Sequence, residues 1–259
     1  MREDRHMNAT DSAAPLLQIQ QVTLAANVGL ANLLKDLSFQ VNAGEFVALI
    51  GPSGSGKTSL LRLLNRLNDP STGTIRLSGQ DVQRISPLQL RRQVTLVLQE
   101  ADLLDMTVRQ ALTYPLTLRG LSDAKQRERL GFWLEQLNIP DDWLPRTALQ
   151  LSVGQRQLVA IARGLVTEPT VLLLDEPTAA LDLGRASRLM TVLRNLAQRQ
   201  QTAILMANHQ LDLVQDYCDR VLYLQQGELK QDAAVDQIDW VALRHRLVNA
   251  EKQLVQEWD

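Results

Sequence analysis

The stretch that most constrains this chain is EFVALIGPSGSGKTSLLRLL, residues 45–64. Its first six residues are an apolar run of buried-strand length, and from Ser59 onward apolar side chains recur at helical spacing. Between the two, Gly51-Pro52-Ser53-Gly54-Ser55-Gly56-Lys57-Thr58 fits the pattern G-x-x-x-x-G-K-[ST]. A glycine loop in that setting is a phosphate cradle. Glycines let successive N–H groups converge on phosphate oxygens without a Cβ in the way, and the helix N-terminus favours negative charge. Lys57 would reach the β- and γ-phosphates of a nucleotide, and the Thr58 hydroxyl would ligate Mg2+.

The rest of the sequence reads as an α/β domain with a helical insertion. LLQIQQVTL (16–24), LSFQV (37–41), GTIRLSG (73–79) and RQVTLVLQ (92–99) read as strands, and SLLRLLNRL (59–67) as a helix ended by Asp69-Pro70. Strand signals vanish from about residue 100 to 165, where DAKQRERLGFWLEQL is amphipathic. TVLLLDEP (170–177) has the continuous apolar character of a parallel strand covered on both faces. A helix (about 183–200), the strand TAILMAN (202–208), a helix (210–217) and the hairpin-like RVLYLQQGELK (220–230) follow. In the tail, Trp240, Leu243, Leu247, Leu254 and Trp258 form a stripe expected to pack on the chain's own domain. The expected organisation is a disordered tail over 1–14, one domain over 15–232 whose helical part spans about 100–165, and an amphipathic C-terminal helix over 233–259.

Bulk properties remove several classes of function. A net charge of −2 lacks the basic surplus of a protein that grips nucleic acid through its phosphates. The single cysteine, Cys218, excludes an internal disulfide and offers no metal-ligand spacing, which points to a reducing compartment. Apolar runs fall far short of the roughly 18–20 residues that span a bilayer. The first residues, MREDRHMNATDSAAP, have no apolar core of a signal peptide. A soluble protein is expected.

Two further stretches carry chemistry. Asp175 and Glu176 close the apolar strand VLLLDE; beside a phosphate loop, the aspartate at such a strand end holds the Mg2+ shell. The adjacent Glu176 can orient and deprotonate an attacking water, since carboxylates on opposite pleat faces can take separate tasks. LSVGQRQLVAIARG, residues 151–164, opens with small polar residues and a glycine and continues as a helix. That is a second anion-binding helix N-terminus, about a hundred residues from the first.

From about residue 17 to 230 the sequence resembles the nucleotide-binding subunit of an ATP-binding-cassette (ABC) transporter. GPSGSGKT resembles the Walker A loop, VLLLDE the Walker B strand, LSVGQRQ the signature motif and AALD (179–182) the D-loop. Gln99, in VTLVLQ, matches the Q-loop glutamine, which in the family touches Mg2+ and faces the membrane subunit. His209, in ANHQLD, matches the switch histidine that contacts the γ-phosphate. The resemblance implies a RecA-like P-loop NTPase core, an antiparallel β subdomain and a helical subdomain. Gly51, Pro52, Ser53, Gly54, Ser55, Gly56, Lys57, Thr58 and Ser59 would surround ATP with Gln99. Thr58, Gln99 and Asp175 would serve Mg2+, and Glu176 and His209 would be catalytic. Ser152 and Gly154 would cover the γ-phosphate held by the other subunit of a head-to-tail dimer, formed with a second copy or a closely related cassette. An integral membrane permease is the implied partner, at the cytoplasmic face of the membrane.

Two departures stand out. Val153 replaces the first glycine of the common LSGGQ. Residues 1–38 contain no Phe, Tyr or Trp, whereas the family usually stacks an aromatic on adenine before the Walker A loop. By alignment that place falls within LAANV, near Leu24 to Val28, which offers only aliphatic contact and implies a weak grip on the base. The stretch QVTLVLQEADLLDMTVRQALTYPL is similar to the iron-export ATPases of the family. A soluble ABC-type ATPase that drives no transport, such as an iron–sulfur assembly component, is the alternative reading.

Overall fold

The computed structural model describes residues 14–26, 32–100 and 102–256. Its centre is β3 (Phe46–Ile50), a strand with every residue buried. Alternate side chains of β3 feed two cores, Phe46, Ala48 and Ile50 on one face and Val47 and Leu49 on the other. This explains why EFVALI shows no polar alternation. β3 lies in a six-stranded sheet with β6 (Val94–Val97), β7 (Val171–Asp175), β8 (Ala203–Ala207), β9 (Arg220–Gln225) and β10 (Glu228–Ala234). The spatial order is β10-β9-β3-β8-β7-β6. All neighbouring pairs are parallel except β9 with β10, which form a hairpin at one edge.

A second, antiparallel sheet has the order β2-β1-β4-β5, with β1 (Leu17–Ala25), β2 (Asn32–Val41), β4 (Thr72–Leu77) and β5 (Gln80–Asp81). Ile19 pairs with Phe39 on one side and Ile75 on the other, and all three are buried. Helix α1 (Lys57–Leu64) joins the two sheets: Leu60, Leu61, Leu63 and Leu64 share one core with β1, β2 and the inner face of β3. The phosphate loop is thus anchored by a strand before it and a buried helix after it.

Between β6 and β7 stand three helices, α3 (Val108–Leu118), α4 (Asp123–Leu137) and α5 (Val153–Leu165). They share the other core with α6 (Leu183–Gln200), α7 (Leu211–Tyr217) and the outer face of the parallel strands. The chain is therefore a mixed α/β fold with a parallel core, an antiparallel sheet and a helical segment.

Several boundaries differ from the sequence reading. A helix, α2 (Pro87–Gln93), precedes β6, where residues 92 and 93 were expected in a strand. Ser86 caps it by accepting from the Gln89 N–H, and Pro87 stands at the first helical position, a start signal that outweighs the apolar run behind it. Strand β6 accordingly ends at Val97, and Gln99 lies two residues beyond it rather than at its end. At the C-terminus the hairpin continues to Ala234 and the last helix, α8 (Trp240–Gln256), begins later than residue 233. Leu243 and Ala250 of α8 are buried, and Trp240 and Leu247 pack against the same core. The Leu254 side chain and Trp258 lie outside the described residues, as does the expected tail except for Ala14. Among the described residues no helix is long and apolar enough to cross a membrane.

Candidate functional site

Four adjacent parallel strands end at one edge of the sheet, and each delivers a singled-out residue there. Gly51 follows β3, His209 lies two residues after β8, Asp175 ends β7, and Gln99 lies two residues past β6. Ligands of open α/β sheets bind at this carboxyl edge. The cleft there has a volume of about 600 Å3, and residues 53–59, Gln99, Glu176 and His209 line it. Its far wall comes from Asn32, Leu33 and Lys35 of β2 and from Gln226 and Gly227 of the β9–β10 turn.

The loop leaves β3 through a gap that only glycine fits. A Cβ on Gly51 would stand 2.2 Å from the Leu224 carbonyl oxygen of β9 and 2.6 Å from Ser55 Oγ. The Ser55 hydroxyl is buried with no hydrogen-bond partner, an orphan polar group of the kind an incoming phosphate satisfies. Lys57 is buried, and its ammonium donates to the carbonyls of Gly51 at 2.8 Å and Pro52 at 3.0 Å. Burial pushes its pKa down, while the carboxylates of Glu176 and Asp175 oppose that shift. Of three ammonium N–H groups, one remains for an anion.

Asp175 is also buried. Burial raises its carboxyl pKa, a hydrogen bond from the Thr58 hydroxyl works against the rise, and the neighbouring Glu176 adds to it. The Thr58 hydroxyl, which lines the cleft, and the Asp175 carboxylate bonded to it are hard oxygen donors suited to Mg2+, which is typically held by one or two carboxylates together with substrate phosphates. Among the described residues no group of three or more His, Cys, Asp or Glu forms a metal cage.

Glu176 does not continue the pleat, contrary to the expectation of two carboxylates on opposite strand faces. Strand β7 ends at Asp175, and Glu176 takes a left-handed backbone with φ 49, a conformation costly for a non-glycine residue. The turn that follows imposes it: the Ala179 N–H donates to the Glu176 carbonyl, and the Glu176 N–H donates to Ala207 O at 3.0 Å. The carboxylate is thereby aimed into the cleft between two partners. Gln99 Nε2 donates to its Oε2 at 3.1 Å, and His209 Nε2 lies 2.7 Å from its Oε1. A carboxylate oxygen accepts, so the His209 tautomer that carries a proton on Nε2 donates across this contact.

Ser152 and Gly154 stand apart from these residues; neither lines the chain's own cleft. Ser152 caps α5, accepting from the Gln155 N–H at 3.2 Å, while the Gln155 side chain accepts from the Ser152 N–H at 2.8 Å. Gly154 has a reason for being glycine within its own chain: a Cβ there would lie 2.5 Å from the Ala180 carbonyl oxygen. Val153 points outward and is exposed. The AALD segment ends by capping α6, with Asp182 accepting from the Arg185 N–H at 2.9 Å.

A family model described as "ABC transporter" matches residues 34–179, more than half of the chain and the part that carries the phosphate loop, Gln99, Ser152 and Glu176. The chain belongs to the ABC transporter family. It is 37% identical over 209 residues to the methionine import ATP-binding protein MetN of Xylella fastidiosa, covering 79% of this chain and 62% of that one. It is 32% identical over 224 residues to the carnitine transport ATP-binding protein OpuCA of Listeria monocytogenes, covering 86% of this chain and 56% of the relative. This ABC-family chain thus spans less than two thirds of the length of either. Among solved structures, a dimeric ATP-binding cassette in a post-hydrolysis state bound to ADP and Pi superposes with a TM-score of 0.79 at 26% identity. That match covers 85% of this chain and 98% of the cassette.

The far wall of the cleft escaped the sequence reading. Asn32, Leu33 and Lys35 reach the site because the Lys35 N–H donates to Gly227 O at 2.8 Å and the Gly227 N–H donates to Ser55 O at 3.1 Å. The readable signal was Gln226-Gly227, a two-residue hairpin turn, but nothing local says that it closes on β2. Conversely, Leu24, within the segment expected to meet adenine, is buried in the antiparallel sheet, and 27–31 lie outside the described residues.

Proposed function

We propose that this chain is the ATP-binding and ATP-hydrolysing subunit of an ABC transporter, which dimerises on ATP and drives a separate membrane permease. The observation that carries the reading is the placement of Glu176, held between Gln99 and His209 at the mouth of the phosphate cleft. In this reading the N–H groups of residues 53–59 receive the phosphates, and Lys57 turns from the Gly51 and Pro52 carbonyls to the β- and γ-oxygens. Glu176 accepts a proton from the attacking water, and His209, freed from Glu176, donates to the γ-phosphate. Mg2+, held with Thr58 and Asp175 when bound, supplies positive charge beside the phosphates. The partner's Ser152 and the N–H of the partner's Gly154 close the site from the opposite side, in a two-fold pairing of complementary faces.

The permease reading has its own support. A groove of about 560 Å3 separates the helical segment from the parallel core, with exposed Leu88, Leu104, Tyr114 and Leu118 on its walls. Exposed apolar side chains gathered in one groove mark a protein-binding surface. Leu98 and Glu100 line this groove, while Gln99 between them lines the nucleotide cleft. Movement of one short segment therefore registers at both places, which gives ATP binding a route to a membrane partner at the cytoplasmic face.

The test is Glu176→Gln. It should retain ATP affinity within a few-fold, lower turnover by a factor of about 10² or more, and give a dimer with Mg-ATP in size-exclusion chromatography. Turnover near the wild-type rate would remove Glu176 from the mechanism.

A further inference from the structure

The C-terminal helix α8 has no role in the function proposed above, yet its course leads to the nucleotide site. It starts beside the amino end of β9, where the Val235 N–H of the preceding turn donates to Asp219 O at 3.0 Å. Leu243, fully buried, enters the core that contains Val221 and Tyr223 of β9. Farther along, the Arg246 guanidinium lies 5.3 Å from the centre of the Tyr223 ring, and its Nη2 donates to Gln231 Oε1 at 2.8 Å. Helix and strand therefore run in the same direction. Tyr223 is paired in register with Ile50, the residue before the phosphate loop. From that level β9 ends at Gln225, whereas α8 continues to Gln256, about 15 Å at a helical rise. The last turns of α8 thus project past the carboxyl edge of the sheet, where the phosphate loop begins.

Two further contacts hold the helix there. Arg244 forms an ion pair with Asp212 in the first turn of α7, just after His209. Ala250, about one turn beyond Arg246, is buried.

The residue delivered by this arrangement is Glu251, which is exposed. Among the described residues none of α8 lines the cleft, so Glu251 acts on it through charge and not through contact. That charge is felt at Lys57. Burial pushes the Lys57 pKa down, and the carboxylates that oppose the shift are Glu176, Asp175 and Glu251. The first two belong to the site, and the third comes from the far end of the chain. Basic residues of α8 do not cancel it. Arg244 is engaged by Asp212 and Arg246 by Gln231, and Lys252 leaves the helix about 100° round from Glu251.

We propose that Glu251 is a fixed countercharge that attenuates nucleotide binding and sets the preference between ATP and ADP from outside the cleft. The inference rests on the phosphate site proposed above and concerns its regulation. Glu251 favours the ammonium of Lys57; an incoming nucleotide brings negative charge to the same place, and Glu251 opposes it in proportion to that charge. Mg-ATP carries one more negative charge than Mg-ADP and is opposed more strongly. Helix α8 is therefore a handle on the site: whatever draws its last turns away from the carboxyl edge tightens ATP more than ADP.

The test measures dissociation constants on the dilute whole chain, for a fluorescent non-hydrolysable ATP analogue with Mg2+ and for ADP by competition. At about 0.1 M salt, where the screening length is about 10 Å, Glu251→Gln should bind the ATP analogue about threefold tighter and Glu251→Lys about tenfold tighter. ADP should gain about half as much on a logarithmic scale. At about 1 M salt, with a screening length of about 3 Å, all variants should converge on wild type. Glu251→Asp keeps the charge and should match wild type throughout. Glu128→Gln, which removes an exposed charge from α4, should do the same. Unchanged affinity of both Glu251→Gln and Glu251→Lys at the lower salt overturns the proposal. So does a gain that persists at the higher salt, is equal for ADP, or appears in Glu251→Asp, since each marks a change of shape and not of charge. A wild-type chain that binds neither nucleotide would instead overturn the phosphate site, and this inference with it.

Discussion

Substitution of Gly154 by alanine adds one methyl group, and the structure states where that methyl goes. It would lie 2.5 Å from the Ala180 carbonyl oxygen, where contacts under 3.0 Å are essentially never tolerated, so at least about half an ångström must be relieved. Neither side yields easily. The Ala180 turn is bracketed by hydrogen bonds from the Ala179 N–H to Glu176 O and from the Leu181 N–H to Thr178 O. Helix α5 is anchored by buried Gln157, Leu158 and Ile161. Overpacking of this kind costs about 1–3 kcal/mol, or roughly 2–12 °C in Tm for a chain of this size. The displaced groups are the N-terminus of α5 and the turn attached to Glu176, and a misplacement near 1 Å costs on the order of 10² in rate. Half that displacement corresponds to about tenfold, so steady-state phosphate release should fall by about tenfold or more, while a fluorescent ATP analogue should bind the phosphate loop within twofold of wild type. Val153→Gly, one residue earlier, removes an exposed side chain and serves as the control, with turnover within threefold of wild type. Gly154→Ala turnover within threefold of wild type would refute the steric argument.

Asp175 tests the electrostatics. Burial raises its carboxyl pKa, so the ionised form costs the folded state at neutral pH, and this cost disappears as pH falls through the raised value toward the ordinary carboxylate range. Asp175→Asn should raise the nucleotide-free Tm at pH 7 by about 2–4 °C per kcal/mol relieved and abolish Mg2+-dependent turnover, with the Tm gain shrinking at lower pH. A lower Tm at pH 7 would contradict this. Cys218 is buried and its thiol pKa is pushed far up by desolvation, so a disulfide exchange reagent should leave the native protein unlabelled and react stoichiometrically once guanidinium unfolds it. Rapid native labelling would show that the α7–β9 junction opens.

The part of the site legible in the sequence is the part built from single strands and the residues that leave them. FVALI and VLLLD are apolar throughout because both faces of the parallel sheet are covered, and such runs point directly at the loops that follow them. Lys57, Asp175, Glu176, His209 and Gln99 come together for that reason. What stayed illegible depends on pairing across long separations. Leu33 becomes a cleft wall only through the closure of β2 on the Gln226-Gly227 turn, almost two hundred residues away. The left-handed backbone of Glu176 is imposed by the turn and by Ala207 of the next strand, and a period-2 pattern contains neither. The approach of the Ala180 carbonyl to Gly154 is likewise absent from any local pattern, and it requires glycine there whatever the N–H contacts. The helix over Pro87–Gln93 was readable, since Ser86-Pro87 is a start signal, but the apolar run of β6 concealed its end.

We propose that the helix termini at Lys57 and Ser152 serve the phosphates of different chains. A mixed dimer decides this, with Lys57→Ala in one chain, Ser152→Arg in the other, and Glu176→Gln in both to prevent turnover. If Ser152 acts across the interface, one site of the mixed dimer carries both defects and the other carries neither. Purified mixed dimers, incubated with radiolabelled Mg-ATP and passed through a desalting column, should then retain one ATP per dimer, with neither homodimer retaining any. If Ser152 serves the ATP of its own chain, each site keeps one defect, and the mixed dimer would emerge with no nucleotide bound.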